Sequence, residues 1–418
     1  MGVEAFGRAP RPTTKGERMR GTRRGLRAAG ALTVMSGLLL GIAGAATSAP
    51  AGATTEAPIV VGSICSCTGP EASSTSVSAP ALQAWADEVN AKGGINGHKV
   101  DLILKDDTTN PGTSLAEAEQ LVTTNHVVAI FDNSDVDNAW ETYVTQHHIP
   151  VVGAFADSTP FYTNADFFTE GATLNWGNAD TIFMMKKVNK TKLADLYCAE
   201  VPVCSQFLPA MEKEAPKHGV SVAYTAAIGF AAPNYTAQCL AAKAAGAQAM
   251  VVGDASSIVI KVASNCAAQG YEPVQLSGDG TVSNDWLTTP SMNGNIDYQP
   301  DIPFFVHNTP ATETMDSAIK KYEPSLWTSP SFGEVVVENW ASGQLLQAAA
   351  TGHLTATPTT TDIYNGLYAL HGTTLGGLAP PLTFHKGKPT ANINCVFFMG
   401  IKNGQWTEPF GTGVSCPS

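Results

Sequence analysis

Short apolar runs alternate with longer amphipathic segments along most of this chain, beginning at residue 58. Residues 58–64 form a β-branched run that is typical of a buried parallel strand, and a small, polar loop follows it. Leu82, Trp85 and Val89 then recur at helical spacing, which predicts a helix with one apolar face. Two glycines end this helix at positions 93 and 94, because glycine adopts positive φ at little cost.

The next segment repeats this order of elements. Residues 100–105 predict a second strand, after which Asp106 and Asp107 lead into a helix. We expect that helix to begin at Ser114, with Glu117 completing a capping box. Together the two segments predict a β-α-β-α unit.

Further strands follow with helical patterns between most of them. Their spacing of about 20 to 28 residues is that of right-handed βαβ crossovers, which form parallel sheets with helices on both faces. Two sheets are favoured over a single large one, so we predict an α/β fold with two doubly wound parallel-sheet lobes. The chain should cross between the lobes three times, near residues 173–178, near residues 307–309 and after residue 373. The further strands are predicted at residues 127–131, 150–154, 192–197, 220–228, 248–253, 273–276 and 303–306.

The N-terminus has the features of an export signal. Five arginines between positions 18 and 27 precede an apolar stretch rich in Ala, Gly and Leu, which ends near small-residue cleavage sites at Ala49 and at residues 51–53. Arg23 and Arg24 also fit a twin-arginine signal, so both the general and the twin-arginine export routes stay open. We expect residues 1–53 to be a signal peptide and the mature protein to be extracytoplasmic. No Cys directly follows the apolar stretch, so no lipid anchor is indicated.

The charge of the mature part narrows the choice of partners. Eight of the 24 basic and two of the 36 acidic residues lie in residues 1–53, which leaves 16 basic and 34 acidic residues and a net charge near −18. Such a surface is a poor partner for nucleic acid or anionic lipid. We interpret the charge as serving solubility outside the cell and expect a monomer.

All eight cysteines lie in the exported part, which favours disulfides over a redox or zinc site. Cys65 and Cys67 form either an unusual small-ring disulfide or two thiols at the mouth of a pocket. No His or second Cys pair lies near them at ligand spacing, so no metal site is predicted. The economical pairing of the other six is local and joins Cys198 with Cys204, Cys239 with Cys266, and Cys395 with Cys416.

In open α/β sheets ligands bind beyond the carboxyl ends of the strands, so the residues just after each strand are candidates for a site. Here those residues are small and polar, and the helix N-termini after them point free N–H groups at the cleft, which suits a carboxylate. Any one of these residues is explained equally well as a helix cap, so only the residues taken together indicate a binding site. The candidate ligand-binding residues are Cys67, Thr68, Ser134, Phe155, Ala156, Asp157, Ala255, Ser256 and Asp279, with Trp140, Trp176 and Phe332 as candidate apolar walls.

The strand at residues 58–64 is followed by Thr68-Gly69-Pro70, by Asn-Ala-Lys-Gly-Gly-Ile-Asn-Gly at residues 90–97 and by Asp106-Asp107. This order closely resembles the leucine/isoleucine/valine-binding-protein family of solute-binding proteins, which serve ABC importers. The resemblance continues as strand and helix spacing over most of the remaining chain. It implies two lobes that close on a small solute, with a membrane-bound ABC permease as partner.

With the predicted crossings, this resemblance divides the mature chain into two lobes. The N-terminal lobe comprises residues 54–175 and 307–375. The C-terminal lobe comprises residues 176–306 and 376–418. A three-segment hinge joins them.

Residue-by-residue comparison with the family implies roles for part of the candidate set. Ser134 matches a serine whose hydroxyl binds the ligand carboxylate, and residues 155–157 match a loop that supplies backbone contacts to the same group. Asp279 matches an acid that holds the ammonium group in amino-acid binders. These matches imply a zwitterionic ligand.

Other positions depart from the family pattern. The loop from Cys198 to Cys204 and the pair Ala255-Ser256 stand where the family often has a tyrosine or another aromatic residue. Ser73 and Ser74 stand where it offers an aromatic wall. A ligand other than an amino acid, such as an aromatic or aliphatic acid, therefore stays open.

The sequence motifs of common enzyme classes are missing. The chain has no G-x-S-x-G elbow, no phosphate-binding G-x-x-x-x-G-K-[ST], no H-E-x-x-H and no G-x-G-x-x-G after a strand. A lone Asp in a cleft needs a second acid or a base before it suggests catalysis. We predict a binder of small solutes without cofactor or metal, keep a free-standing ligand sensor as an alternative, and place a secreted hydrolase last.

Overall fold

Two mostly parallel β-sheets organise the chain. The computed structural model describes residues 56–154, 158–173, 177–206, 208–278 and 280–416, all of which belong to the unit Thr54–Ser418. The predicted signal peptide lies outside the described residues. The strands are β1 (Ile59–Cys65), β2 (Val100–Asp106), β3 (Ala129–Asn133), β4 (Val151–Ala154), β5 (Phe167–Phe168), β6 (Lys192–Cys198), β7 (Ser221–Ile228), β8 (Ala249–Gly253), β9 (Val274–Ser277), β10 (Ile296–Gln299), β11 (His371–Thr373), β12 (Leu382–Thr383), β13 (Phe397–Lys402) and β14 (Gln405–Thr407).

Helices connect most successive strands. No helix among the described residues is both long and apolar enough to span a bilayer. The helices are α1 (Ala72–Thr75), α2 (Ser78–Ala91), α3 (Pro111–Thr123), α4 (Glu141–Gln146), α5 (Pro160–Thr163), α6 (Gly177–Lys187), α7 (Leu208–Glu214), α8 (Thr236–Ala244), α9 (Ser256–Ala268), α10 (Pro310–Tyr322), α11 (Pro324–Trp327), α12 (Glu334–Ala350) and α13 (Thr360–Ala369).

The strand order confirms the predicted α/β fold with two lobes. The first sheet has the order β2-β1-β3-β4-β5 and is parallel throughout. The second has the order β14-β13-β10-β9-β8-β6-β7, in which β13 and β14 form an antiparallel edge. We call the sheet β1–β5 with its helices the first lobe, and the sheet built on β6–β10, β13 and β14 with its helices the second lobe.

Three helices from the C-terminal part of the chain, α10, α12 and α13, pack in the first lobe. α12 contacts α2, α13 and β4, and α10 contacts α2. α12 is apolar on most of its surface and is buried accordingly. A Cβ atom on Gly343 would lie 2.4 Å from the ring of Trp85, so glycine is required for this close helix contact. The exact lobe boundaries drawn from the sequence stay predictions.

The first β-α-β-α unit forms as predicted, apart from the start of its second helix. Trp85 is buried in α2, and its ring meets that of Phe131 edge to face at 5.7 Å. α3 begins at Pro111, and the side chain of Asn110 caps it by accepting from two backbone N–H groups. The capping box predicted at Ser114 is therefore wrong, because an Asn-Pro start precedes it by one turn.

The strand predicted at residues 303–306 is also wrong. These residues form a turn, and β10 lies at Ile296–Gln299 instead. The apolar run is buried because Phe304 packs against Trp406, with ring centroids 5.2 Å apart, and against Phe332. A short apolar run has the same pattern in a strand and in a packed loop.

Candidate functional site

The loops that follow the parallel strands of both sheets meet where the two lobes contact each other, which is where the cleft is expected. From the first lobe come the loops after β1, β2 and β3. From the second lobe come the loop after β6 and the segment between β8 and α9. Parallel strands end at the same edge of a sheet, which is why residues far apart in sequence lie together here.

Asp107 organises the loops of the first lobe. Its fully buried carboxylate accepts hydrogen bonds from Ser66 Oγ at 2.9 Å, from Ser114 Oγ at 2.8 Å and from the hydroxyl of Ser134. Trp140 Nε1 donates to Ser114 Oγ at 3.0 Å. One carboxylate thereby fixes the loops after β1 and β3 and the start of α3.

The structure gives the hydroxyl of Ser134 three partners within the protein. It donates to Asp107, accepts from the backbone N–H of Val136 at 3.2 Å, and lies 3.1 Å from Ser114 Oγ. Its contact with a ligand carboxylate stays a prediction. Phe155, Ala156, Asp157 and Asp279 lie outside the described residues, so their predicted roles stay predictions as well.

Two candidates follow β1. Cys67 is joined to Cys65 by a disulfide, which resolves the alternatives left by the sequence. Thr68 is exposed, and both its N–H and its hydroxyl donate to Asp106, the hydroxyl at 2.7 Å. These bonds hold the turn before α1 against the end of β2.

The two lobes contact each other where α1 meets the N-terminus of α9. Ser74 Oγ accepts from the backbone N–H of Ser256 at 3.1 Å, and Ser73 Oγ accepts from that of Ser257 at 3.2 Å. The residue preceding α9, Ala255, has no side chain that caps the helix. Serines of the first lobe therefore satisfy two N–H groups of a helix in the second lobe.

The candidates Ala255 and Ser256 lie at this junction and are buried. The hydroxyl of Ser256 bonds to Trp286 Nε1 at 2.9 Å and to Ser283 Oγ at 3.1 Å. Its side chain thus faces the second lobe while its N–H faces the first. Direct ligand contacts of either residue stay predictions.

A second contact joins the lobes near the loop after β6. Val136, from the first lobe, packs in one apolar cluster with Cys198 and Val201. The hydroxyl of Thr159 also bonds to Gln206. The lobes are therefore in contact at more than one place.

Three buried acids, from both lobes, lie in the loops near these contacts. Burial, and then the charge of Asp107, raises the pKa of Asp135 to about 7. Burial, followed by the charge of Glu200, raises the pKa of Asp254 to about 7. Burial, followed by the charges of Asp135 and Asp254, raises the pKa of Glu71 well above its ordinary value.

Two of the three candidate apolar walls are elsewhere. Trp140 lies in the core of the first lobe, stacked on Phe167 at 5.8 Å. Phe332 packs against Phe304 and Trp327 in another part of the core. Both predictions are wrong because large aromatic residues are buried in cores more often than they line ligand sites. Trp176 lies outside the described residues.

All eight cysteines are paired in the structure. Cys239 and Cys266 connect α8 with α9, and the other two local bridges close the loop after β6 and the C-terminal segment. Among the described residues no cluster of His, Cys, Asp or Glu is suited to hold a metal ion. The three bridges besides Cys65–Cys67 are Cys198–Cys204, Cys239–Cys266 and Cys395–Cys416.

Sequence reasoning missed several residues of the site. Asp107 was noticed only as part of an Asp-Asp turn, and Glu71 and Asp254 were not singled out. A signal existed for Asp254, because it directly follows β8 and precedes a helix, as ligand-binding residues do. Glu71 gave no such signal, since acids are common in exposed turns.

This fold and cleft define a two-lobe binding protein, and comparisons with known proteins agree. The model of the family described as periplasmic binding protein matches residues 58–405. The Leu/Ile/Val-binding protein homolog 2 of Brucella abortus (strain 2308) is 23% identical over 259 residues, which cover 60% of this chain and 69% of that protein.

Solved structures show the same fold at low sequence identity. A branched-chain amino acid ABC transporter structure from Thermus thermophilus with bound valine has a TM-score of 0.75 at 15% identity, covering 85% of this chain and 97% of that one. A fatty acid ABC transporter substrate-binding protein from Thermomonospora curvata has a TM-score of 0.69 at 18% identity, covering 86% and 90%. The chain belongs to the periplasmic binding protein family and is a substrate-binding protein, not an enzyme.

Proposed function

We propose that the protein is the extracytoplasmic solute-binding component of an ABC importer. It captures a small carboxylate-bearing solute, an amino acid or a similar compound, between its two lobes. The contact of α1 with the N-terminus of α9 carries this proposal, because it brings the strand-end loops of both sheets to one cleft. A solute in that cleft touches both lobes and stabilises the closed form in proportion to its differential affinity.

Two observations support an amino acid as the solute. Ser134 and residues 155–157 match the carboxylate-binding positions of the leucine/isoleucine/valine-binding-protein family, and Asp279 matches its ammonium-binding acid. The Brucella relative is described as a Leu/Ile/Val-binding protein homolog, and the Thermus structure holds valine. We propose that the closed, loaded form is what the permease recognises.

An aliphatic or aromatic acid is the second candidate. The disulfide between Cys198 and Cys204 occupies the loop where the family often has a tyrosine, which favours a differently shaped pocket. One structural neighbour is described as a fatty acid ABC transporter substrate-binding protein.

A thermal-shift screen tests the proposal and separates the two candidates. The panel contains amino acids, aliphatic and aromatic acids, and small amides. A solute at a hundredfold excess over its Kd stabilises the folded protein by about 2.7 kcal/mol, which raises the melting temperature measurably. Stabilisation by acids that lack an ammonium group selects the second candidate. A flat response to every member of the panel contradicts the proposal.

A further inference from the structure

Three buried carboxylates, drawn from both lobes, lie at the contact between the lobes. Glu71 lies between β1 and α1, Asp135 follows β3, and Asp254 follows β8. Each has only 6–7% of its surface exposed. Glu200, which is exposed, adds a fourth acid from the loop closed by Cys198 and Cys204.

Hydrogen bonds connect the loops that carry the first two acids. The hydroxyl of Thr75 donates to the carbonyl oxygen of Glu71 at 3.1 Å and to that of Ser66 at 2.6 Å. The hydroxyl of Ser66 in turn accepts from the N–H of Asp135 at 3.1 Å. The loops that carry Glu71 and Asp135 are therefore one connected unit.

The same unit reaches the acids of the second lobe. Ser74, three residues after Glu71, binds the N–H of Ser256, two residues after Asp254. Val136, next to Asp135, packs against Cys198 and Val201, which flank the segment that carries Glu200. The loops that carry the four acids thus meet where the two lobes contact each other.

Asp254 accepts one hydrogen bond through Oδ1 from the N–H of Ala255, and Glu200 accepts from the N–H groups of Ala199 and Phe230, but two of the buried carboxylates each keep an oxygen without a partner. The Oδ2 atoms of Asp135 and Asp254 are buried and accept no hydrogen bond. Within the described part of the chain, no Lys, Arg or His forms an ion pair with any of the four acids. An isolated buried carboxylate is costly and is normally compensated by a cation or by protonation.

The charges of these acids act across the contact between the lobes. The charges of Asp135 and Asp254 both contribute to raising the pKa of Glu71, after burial itself. Two carboxylates from different lobes therefore raise the pKa of a third. A cation bound among these carboxylates compensates both for the cost of burying their charges and for their mutual repulsion.

We propose that the solute is a basic amino acid whose side-chain cation lies among Glu71, Asp135 and Asp254. An ammonium or guanidinium group supplies three to five N–H donors, which match the unpartnered carboxylate oxygens of both lobes. Among the described residues, no group of His, Cys, Asp or Glu side chains is suited to hold a metal ion, so we favour an organic cation over a metal ion. The inference rests on the proposed function, since it names the solute class of the same cleft.

Calorimetry with two matched pairs of solutes tests the inference on the exported protein with its disulfides intact. L-arginine is compared with L-citrulline, and L-lysine with L-norleucine, because each pair differs chiefly in the side-chain charge. In at least one pair the cationic member should bind more than tenfold tighter. Asp254→Asn and Asp135→Asn should each remove most of that difference, whereas Asp101→Asn, an exposed acid on β2, should leave it unchanged.

The outcomes separate this inference from the proposed function. Equal or tighter binding of the neutral members overturns the cationic assignment while solute binding stands. Failure of all four solutes overturns it too, and the broader thermal-shift panel then decides whether solute binding stands. Thermal melting of each variant shows that it is folded, and an undiminished preference for arginine in folded Asp254→Asn and Asp135→Asn also overturns the assignment.

Discussion

Ser74 on α1 accepts a hydrogen bond, at 3.1 Å, from the backbone N–H of Ser256, the first residue of α9. This bond joins the two lobes, and Ser73 forms a parallel bond with Ser257. An uncapped helix N-terminus leaves N–H groups without partners, so separation of the lobes exposes those of α9 to solvent. The stability of the closed form is thereby coupled to a helix cap.

Removing both hydroxyls should favour the open form. For the double variant Ser73→Ala/Ser74→Ala we expect the closed form to lose about 1–2 kcal/mol, the usual cost of a lost N-cap. The apparent affinity for the solute found by screening should then fall about five- to thirtyfold. Calorimetry measures the affinity, and small-angle scattering measures the radius of gyration with and without solute.

Ser76→Ala is the matched control, because Ser76 is an exposed serine at the end of the same helix. It should bind the solute as wild type does. Wild-type affinity in the double variant would show that the caps do not contribute to closure. An unchanged radius of gyration on binding to wild-type protein would argue against closure itself.

Neighbouring aspartates should differ sharply in their contribution to stability. Asp107→Asn replaces an acceptor of three serine hydroxyls by an amide, and we expect a loss of about 2–4 kcal/mol in the free energy of unfolding. Asp106→Asn disturbs only exposed bonds, those from Thr68 and from the backbone N–H of Thr108, and should cost below about 1 kcal/mol. Denaturant titration measures the free energy of unfolding of both variants. Similar losses in the two would contradict a stabilising role for the hydrogen bonds around Asp107.

The sequence predicted the lobes well because buried parallel strands are continuous apolar runs. β1, β6 and β8 each start within one residue of the predicted position. The prediction of a strand at residues 303–306 was wrong because Phe304 is buried by loop packing rather than by strand pairing. Local pattern cannot distinguish these two forms of burial.

The site was less predictable, because its contacts join residues distant in sequence. Ser73 and Ser74 were noticed only as substitutes for aromatic residues, whereas their partners lie more than 180 positions away. Trp140 was expected in the cleft, yet its indole N–H serves the Asp107 network through Ser114. No periodicity encodes such pairings.

The disulfides should contribute according to the loops they close. Cys239 and Cys266 are 27 positions apart, and replacing both by Ala should cost about 3–4 kcal/mol by the chain-entropy model. The bridge from Cys198 to Cys204 spans 6 positions, so its double Ala variant should cost about 2 kcal/mol. Denaturant titration ranks them, and non-reducing peptide mapping checks the pairing. Crossed pairing would refute the local-bridge arrangement.

Asp279 and Ser134 should contribute unequally to binding of an amino acid. Removing one partner of a desolvated charge pair costs about 2–5 kcal/mol, so Asp279→Ala should weaken binding by well over tenfold. Ser134→Ala should cost about 1–2 kcal/mol, because backbone N–H groups still hold the carboxylate. Calorimetry measures both, and equal affinity of wild type and Asp279→Ala would exclude a bound ammonium at this position.

The buried acids predict how the stability of the ligand-free protein depends on pH. Burial, and then the charge of Glu200, raises the pKa of Asp254 from its ordinary 3.8 to about 7. Burial and the charge of Asp107 do the same for Asp135. Between about pH 4 and 7 the folded protein therefore keeps protons that the unfolded chain has released, so the free energy of unfolding falls as the pH rises.

Asp254→Asn should flatten this decline, because an amide has no proton to lose. A pKa shift of this size changes the free energy of unfolding by at most about 4 kcal/mol between pH 4 and 8. Asp135 is unchanged in the variant, so its contribution to the decline remains. Denaturant titrations at pH 5 and pH 8 measure the difference for wild type, for Asp254→Asn and for the exposed control Asp101→Asn. The control should keep the wild-type slope. The same slope in Asp254→Asn would mean that Asp254 is already ionised in the folded, ligand-free protein, and its carboxylate would then need a partner other than a proton.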